Sequence, residues 1–205
     1  MPLFYQHNIN ESTKLGIWRI AEHEDYFKVP LQRSITHPHK RLQHLAGRWL
    51  LKQLFPDFPY ELIQIADTRK PFLANEAYHF SISHCGDFAA AIVSSERRVG
   101  IDIEIPTQKI ERISAKFLNE EELRWLDRIT PADRENFLTL LWSAKESVFK
   151  WYGDGEVDFR QHILLQEFQW GETGLLDTRF IKAEARLLPI QYMLFPSLCL
   201  AWVVT

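Results

Sequence analysis

Near the middle of the chain, Gly100-Ile-Asp102-Ile-Glu104 alternates branched apolar residues with carboxylates. Side chains at i and i+2 share a face of a β-strand. This spacing therefore predicts a strand with Asp102 and Glu104 side by side on one face, while Ile101 and Ile103 point the other way, into a core. Further along, Trp142-Ser-Ala-Lys145-Glu146-Ser-Val-Phe-Lys150 reads as a helix that can bring a third carboxylate and one or two ammonium groups to the same place. Three carboxylates beside lysines suit a hard divalent cation, Mg²⁺ before others, and a phosphorylated ligand. Taken singly, each piece also has a plainer reading. Asp102 and Glu104 could form the solvent face of an edge strand, and Glu146 and Lys150 an exposed i, i+4 ion pair.

Composition narrows the classes. The chain has 205 residues, 46% of them hydrophobic and 13% aromatic, which describes a packed globular protein of one large core or two half-domains. A formal net charge of −3 argues against generic nucleic-acid binding. Cys85 and Cys199 stand far apart without metal-ligand spacing, as in a reduced cytoplasmic protein. No apolar run approaches the roughly 18 residues of a membrane helix, and Met1 to Asn10 lacks a signal-peptide pattern. P-loop, G-x-G-x-x-G and G-x-S-x-G patterns are absent.

Two halves of similar size emerge along the chain. In the first, strands are expected near Pro2 to Tyr5, Leu15 to Ile20, Glu61 to Ile65, Tyr78 to Ser83, Phe88 to Val93 and Gly100 to Ile105, with a helix over Pro38 to Phe55. The segment Asp67 to Pro71 reads as a turn. In the second, Asn119 and Glu122 form a capping box for a short helix ending near Arg128. The next helix is expected to start at Thr130-Pro131, with proline at its first position, and to stop at Gly153. Strands follow at Ile163 to Phe168, Thr178 to Ala185, Ile190 to Leu194 and Leu198 to Val204, the last two forming a hairpin at Pro196-Ser197. The expected fold is α+β, with two pseudo-duplicated lobes (1–105 and 106–205), each a helix packed on a small antiparallel sheet. His37, His39 and His44 invite a zinc reading, but no cysteine or carboxylate completes the set.

The ordered series Lys70-Pro71, Phe80-Ser-Ile-Ser83-His84, Gly100-Ile-Asp102-Ile-Glu104 and Trp142-Ser-Ala-Lys145-Glu146 through Lys150 resembles the signature of the Sfp-type 4′-phosphopantetheinyl transferases. Phe117-Leu-Asn-Glu-Glu121 is similar to the element that family carries ahead of its catalytic helix. The motifs span roughly residues 40 to 155. The resemblance implies Mg²⁺-dependent transfer of the 4′-phosphopantetheine arm of coenzyme A to a serine of an apo carrier protein, releasing adenosine 3′,5′-bisphosphate. This is the activity of a holo-[carrier protein] synthase in fatty-acid, polyketide or nonribosomal-peptide assembly. It implies Asp102, Glu104 and Glu146 as metal ligands, with Mn²⁺ as a possible substitute, and Glu146, Lys150 and His84 as catalytic groups. Coenzyme A contacts are implied for Arg41, Arg48, Lys70, Pro71, Ser83, His84, Lys145 and Lys150, with Lys145 alternatively in a structural ion pair. Where the family has Asn after the phenylalanine, this chain has Ser81. The expected partner is an acidic, helical acyl, peptidyl or aryl carrier protein, met by Lys109, Arg112 and Lys116, and the expected state is a cytoplasmic monomer that binds neither nucleic acid nor membrane. Alternatives are a coenzyme A-binding module without catalysis and a Mg²⁺-dependent phosphohydrolase.

Overall fold

The computed structural model describes residues 3–32, 34–182 and 184–205. The chain forms two compact units that divide after Ile101, four residues ahead of the expected boundary and inside a strand. Pro2, at the start of one expected strand, and Ala183, inside another, lie outside the described residues.

The first unit opens with strands β1 (Leu3–Asn8) and β2 (Thr13–Arg19), followed by helix α1 (Pro38–Leu54). Proline at the first helical position and His37 as the cap start α1; the His37 side chain accepts the Lys40 N–H. Then come β3 (Ile63–Ile65), β4 (Pro71–Leu73), β5 (His79–Cys85) and β6 (Phe88–Ser94). Antiparallel pairing gives a sheet in the order β1-β2-β6-β5, and β3 pairs with β4 separately. Leu45, Ala46, Leu50, Leu51 and Leu54 of α1 join Trp18, Phe58, Phe80, Ala91 and Val93 in one core. Gly47 allows the approach: a Cβ there would stand 2.6 Å from Ile82 Cγ2. The expected strand at Glu61 begins instead as a 3₁₀ turn over Tyr60–Leu62. The segment expected as a turn runs into β4, because Arg69 adopts φ 67° and reverses the chain onto β3.

The dividing strand is β7 (Val99–Glu104). After it come helices α2 (Lys109–Phe117), α3 (Glu120–Arg124), α4 (Arg134–Tyr152) and α5 (Phe159–His162). Strands β8 (Ile163–Leu165), β9 (Thr173–Phe180), β10 (Arg186–Phe195) and β11 (Leu198–Val204) complete the chain. The second sheet runs β7-β11-β10-β9-β8. Phe137, Leu141, Ala144, Val148 and Trp151 of α4 are buried against Leu176, Ile190, Tyr192 and Ala201 of the sheet. The fold is α+β.

Several boundaries moved. Pro131 sits in a turn where the Thr130 hydroxyl donates to Asp133 Oδ2, and α4 starts at Arg134. Strand β9 runs five residues earlier than its expected start, because alternating burial is carried by Leu176, Thr178 and Phe180. Strand β10 includes Pro189, tolerated because pairing with β11 begins only at Ile190, so no ladder bond needs its missing N–H. The capping box at Asn119 and Glu122, the stop at Gly153 (φ 82°) and the β10–β11 hairpin stand where expected.

Candidate active site

The second unit gathers the acidic cluster. Asp102 is buried and Glu104 half-buried on β7, while Ile101 and Ile103 are fully enclosed. Helix α4 supplies Glu146 and Lys150, one turn apart and both half-buried. Lys150 Nζ lies 2.6 Å from Asp102 Oδ1, an ion pair that joins the helix to the strand. The plain edge-strand reading fails for Asp102, which is 2% exposed.

The groups share one electrostatic field. The Glu146 carboxyl is pushed up to about 7, first by burial, then by the negative charge of Asp102; Lys150 opposes the shift and Glu104 adds to it. Among the described residues no three His, Cys, Asp or Glu side chains stand as a ready-made metal cage, and an ammonium supplies the positive charge beside Asp102. In donor type and charge the residues nonetheless fit a hard divalent cation. Burial first, and the charge of Asp102 second, favour the protonated Glu146 carboxyl, and a dication beside it would favour the ionised form.

Lys145 takes the structural role. It is fully enclosed, 0% exposed, and donates to Glu122 Oε2 at 2.7 Å and to the Phe159 carbonyl at 2.9 Å. Its expected contact with coenzyme A is corrected on that ground: an ammonium held inside the core by two acceptors is not offered to a ligand. Burial lowers its pKa to about 8, against the opposing charge of Glu122.

The first unit holds the remaining expected residues. His84, on β5, is half-buried, with its ring 5.0 Å from that of His44 on α1. Ser83 beside it is buried. Arg48 is also buried; its Nε donates to Gln32 Oε1 at 2.9 Å and its Nη1 to the His44 carbonyl at 3.3 Å. Arg41 is exposed and pairs with Glu24 at 3.0 Å. Lys70 is half-buried at the turn into β4, which Pro71 opens. Ser81 is buried, and its Oγ accepts the Ile101 N–H at 3.2 Å, tying β5 to β7. The three histidines for which no zinc set could be completed in sequence hold separate posts: His37 caps α1, His39 meets Asp87 at 3.0 Å, and His44 lies by His84 and Arg48.

Residues 98–191 match the model of the 4′-phosphopantetheinyl transferase superfamily. That stretch is similar in sequence to those transferases. The matched segment contains Asp102, Glu104, Glu146 and Lys150, while Arg41, Arg48, Lys70 and His84 lie outside it. Enterobactin synthase component D of Escherichia coli O157:H7 is 34% identical over 141 residues, covering 62% of this chain and 63% of that protein. The component D of Salmonella austin is 34% identical over 119 residues, covering 56% and 49%. The 4′-phosphopantetheinyl transferase AcpT of Escherichia coli O157:H7 is 28% identical over 116 residues, covering 56% and 59%. The match thus spans about half to 63% of the length of these relatives. No helix among the described residues is long and apolar enough to cross a membrane.

Two features escaped sequence reasoning. The proximity of His44 to His84 depends on the packing of α1 on the sheet, and no motif marks it. The Trp142 indole N–H donates to Glu104 Oε1 at 3.3 Å. Its signal was present, a tryptophan four residues ahead of Glu146 on the same helix, but the strand partner was not deducible.

Proposed function

We propose that this protein transfers the 4′-phosphopantetheine arm of coenzyme A to a serine hydroxyl of an apo carrier protein and releases adenosine 3′,5′-bisphosphate. The observation that carries the reading is the meeting of Asp102 with Lys150 on the helix that also presents Glu146, inside the segment matching the superfamily model. In this reading Asp102, Glu104 and Glu146 hold Mg²⁺, with Mn²⁺ able to replace it. When bound, the cation supplies charge neutralisation at the pyrophosphate.

The chain's own residues do the rest. The serine Oγ forms a bond to the phosphorus that bears the pantetheine arm, the bridging P–O bond breaks, and the bridging oxygen leaves with adenosine 3′,5′-bisphosphate. Glu146 takes the serine proton directly or through a water. Lys150 offers its ammonium to the pyrophosphate. In the first unit, His84 and Ser83 serve phosphate oxygens of coenzyme A, Arg41 and Arg48 its 3′-phosphate, and Lys70 and Pro71 the adenine. The partner is an acyl, peptidyl or aryl carrier protein with an acidic surface. Helix α2 suits it, with Lys109, Arg112 and Lys116 exposed while Ile110 and Phe117 are buried. The protein acts as a cytoplasmic monomer.

Intact-mass spectrometry of an apo carrier protein incubated with this protein, coenzyme A and Mg²⁺ tests the reading. The expected result is a gain of one phosphopantetheine unit, abolished by EDTA and by Glu146→Ala. No gain on acyl, peptidyl or aryl carriers would refute it, and coenzyme A breakdown without carrier modification would replace it with a hydrolase.

A further inference from the structure

We infer that Trp142 is a positioning residue that orients the Glu104 carboxylate for the cation, an inference that rests on the proposed metal-dependent reaction. A glutamate has three side-chain torsions, and freezing them costs entropy at the moment a ligand binds. Here part of that freezing is done in advance. The Trp142 indole N–H, a donor with no acceptor capacity, engages Glu104 Oε1 at 3.3 Å.

The indole is itself held from two sides. Phe117 of α2 stands edge-on to it, with ring centroids 5.1 Å apart, and Phe159 of α5 lies tilted against it at 5.6 Å. Phe159 is fixed in turn: Phe149 of α4 packs on its ring at 5.7 Å, and its carbonyl accepts the buried Lys145 ammonium at 2.9 Å. Lys145 is locked to Glu122, whose carboxylate also accepts the Asn119 and Leu165 N–H groups. A continuous set of contacts therefore runs from an enclosed ion pair, through Phe159 and the indole, to Glu104. A half-buried indole N–H needs an acceptor, and the one it meets here is a carboxylate of the acidic cluster, not a backbone carbonyl. Hydrogen bonds that orient a metal ligand in this way are worth roughly 10–100-fold in metal affinity.

The test follows Mn²⁺ binding to the full chain in the presence of coenzyme A, read from the electron paramagnetic resonance signal of free Mn²⁺. Trp142→Phe keeps an aromatic ring between Phe117 and Phe159 but removes the N–H. It is expected to weaken Mn²⁺ binding about 10–100-fold. In a Glu104→Ala background the same substitution should cause no further loss, a non-additivity that mere loosening of the fold would not produce. Should Trp142→Phe fail to fold, 3-benzothienylalanine at position 142 keeps the bicyclic shape and deletes only the N–H, with the same expectation. Binding by the Trp142 variant within twofold of the parent, or additive losses with Glu104→Ala, would overturn the inference while leaving the metal site standing. Failure of the parent to bind Mn²⁺, or binding unaffected by Glu104→Ala and Glu146→Ala, would overturn the metal reading and this inference with it.

Discussion

The Glu122–Lys145 pair is a sensitive place to test the physical account of the second unit. Its atoms lie 2.7 Å apart with the side chains 1% and 0% exposed, so water cannot compensate the loss of either partner. The two single losses should be unequal. In Lys145→Met the Glu122 carboxylate keeps the Asn119 and Leu165 N–H donors, each at 2.9 Å. In Glu122→Ala the ammonium keeps only the Phe159 carbonyl, and the capping box of α3 is lost as well. Breaking a buried pair costs about 3–5 kcal/mol. Lys145→Met should therefore fall near the lower bound and Glu122→Ala at or above the upper one. At about 2–4 °C per kcal/mol for a chain of this size, the midpoint of the second unit should drop by roughly 6–20 °C. The double substitution should cost less than the sum, with a coupling of about 1–3 kcal/mol. Thermal unfolding followed by circular dichroism measures all of this. The pH dependence supplies a separate check. The Lys145 ammonium titrates near 8 in the folded chain against 10.5 as its ordinary value. Below pH 8 both states hold the proton and the cost of burying it is fully present. Between about 8 and 10.5 the unfolded chain holds more protons, so this group's contribution to stability rises with pH. Lys145→Met should lack that rise. Single variants within about 2 °C of the parent, or strictly additive losses, would refute the reasoning.

Other expectations concern the acidic cluster and the backbone. Without divalent cations, Glu146→Gln should raise the thermal midpoint at pH 7.5. A carboxyl lifted from 4.5 to about 7 by burial and by Asp102 makes the folded chain lose stability as pH rises through that window, and the amide does not titrate. Adding Mg²⁺ should stabilise the parent in the same scan but not the variant. Asn119→Ala removes the side chain that accepts the Glu121 and Glu122 N–H groups, each at 2.9 Å, and should cost about 1 kcal/mol by urea unfolding. Gly47→Ala places a Cβ 2.6 Å from Ile82 Cγ2 and should cost about 1–3 kcal/mol; a neutral result would show that β5 yields where α1 crosses it.

Much of this molecule is legible in local pattern. The alternation at Ile101-Asp102-Ile103-Glu104 marked the strand and put both carboxylates on one face of it, and proline with a following apolar stripe located α1. Asn119 with Glu122 marked a helix start, and Gly153 a stop, because caps and left-handed residues act within one turn of chain. The ordered motifs around Asp102, Glu146 and Lys150 carried the family resemblance, because residue type and spacing recur there together.

What remained hidden depends on partners distant in sequence. Lys145 and Lys150 look equivalent along the chain, five residues apart on one helix. Helical rotation turns one into the core against Glu122 and the other out to Asp102. Trp142 reads as core until β7 brings Glu104 to its N–H, and the start of β9 is set by its partners β8 and β10. The sequence by itself determined the α+β class, the starts of α1 and α3, the stop of α4 and the set of acidic and basic residues from which a site could be made, because propensity, capping and periodicity are local. Only the tertiary structure decided which lysine faces the acidic cluster, which carboxylate titrates near neutrality and which side chains hold Glu104, because burial and charge proximity belong to the packed chain.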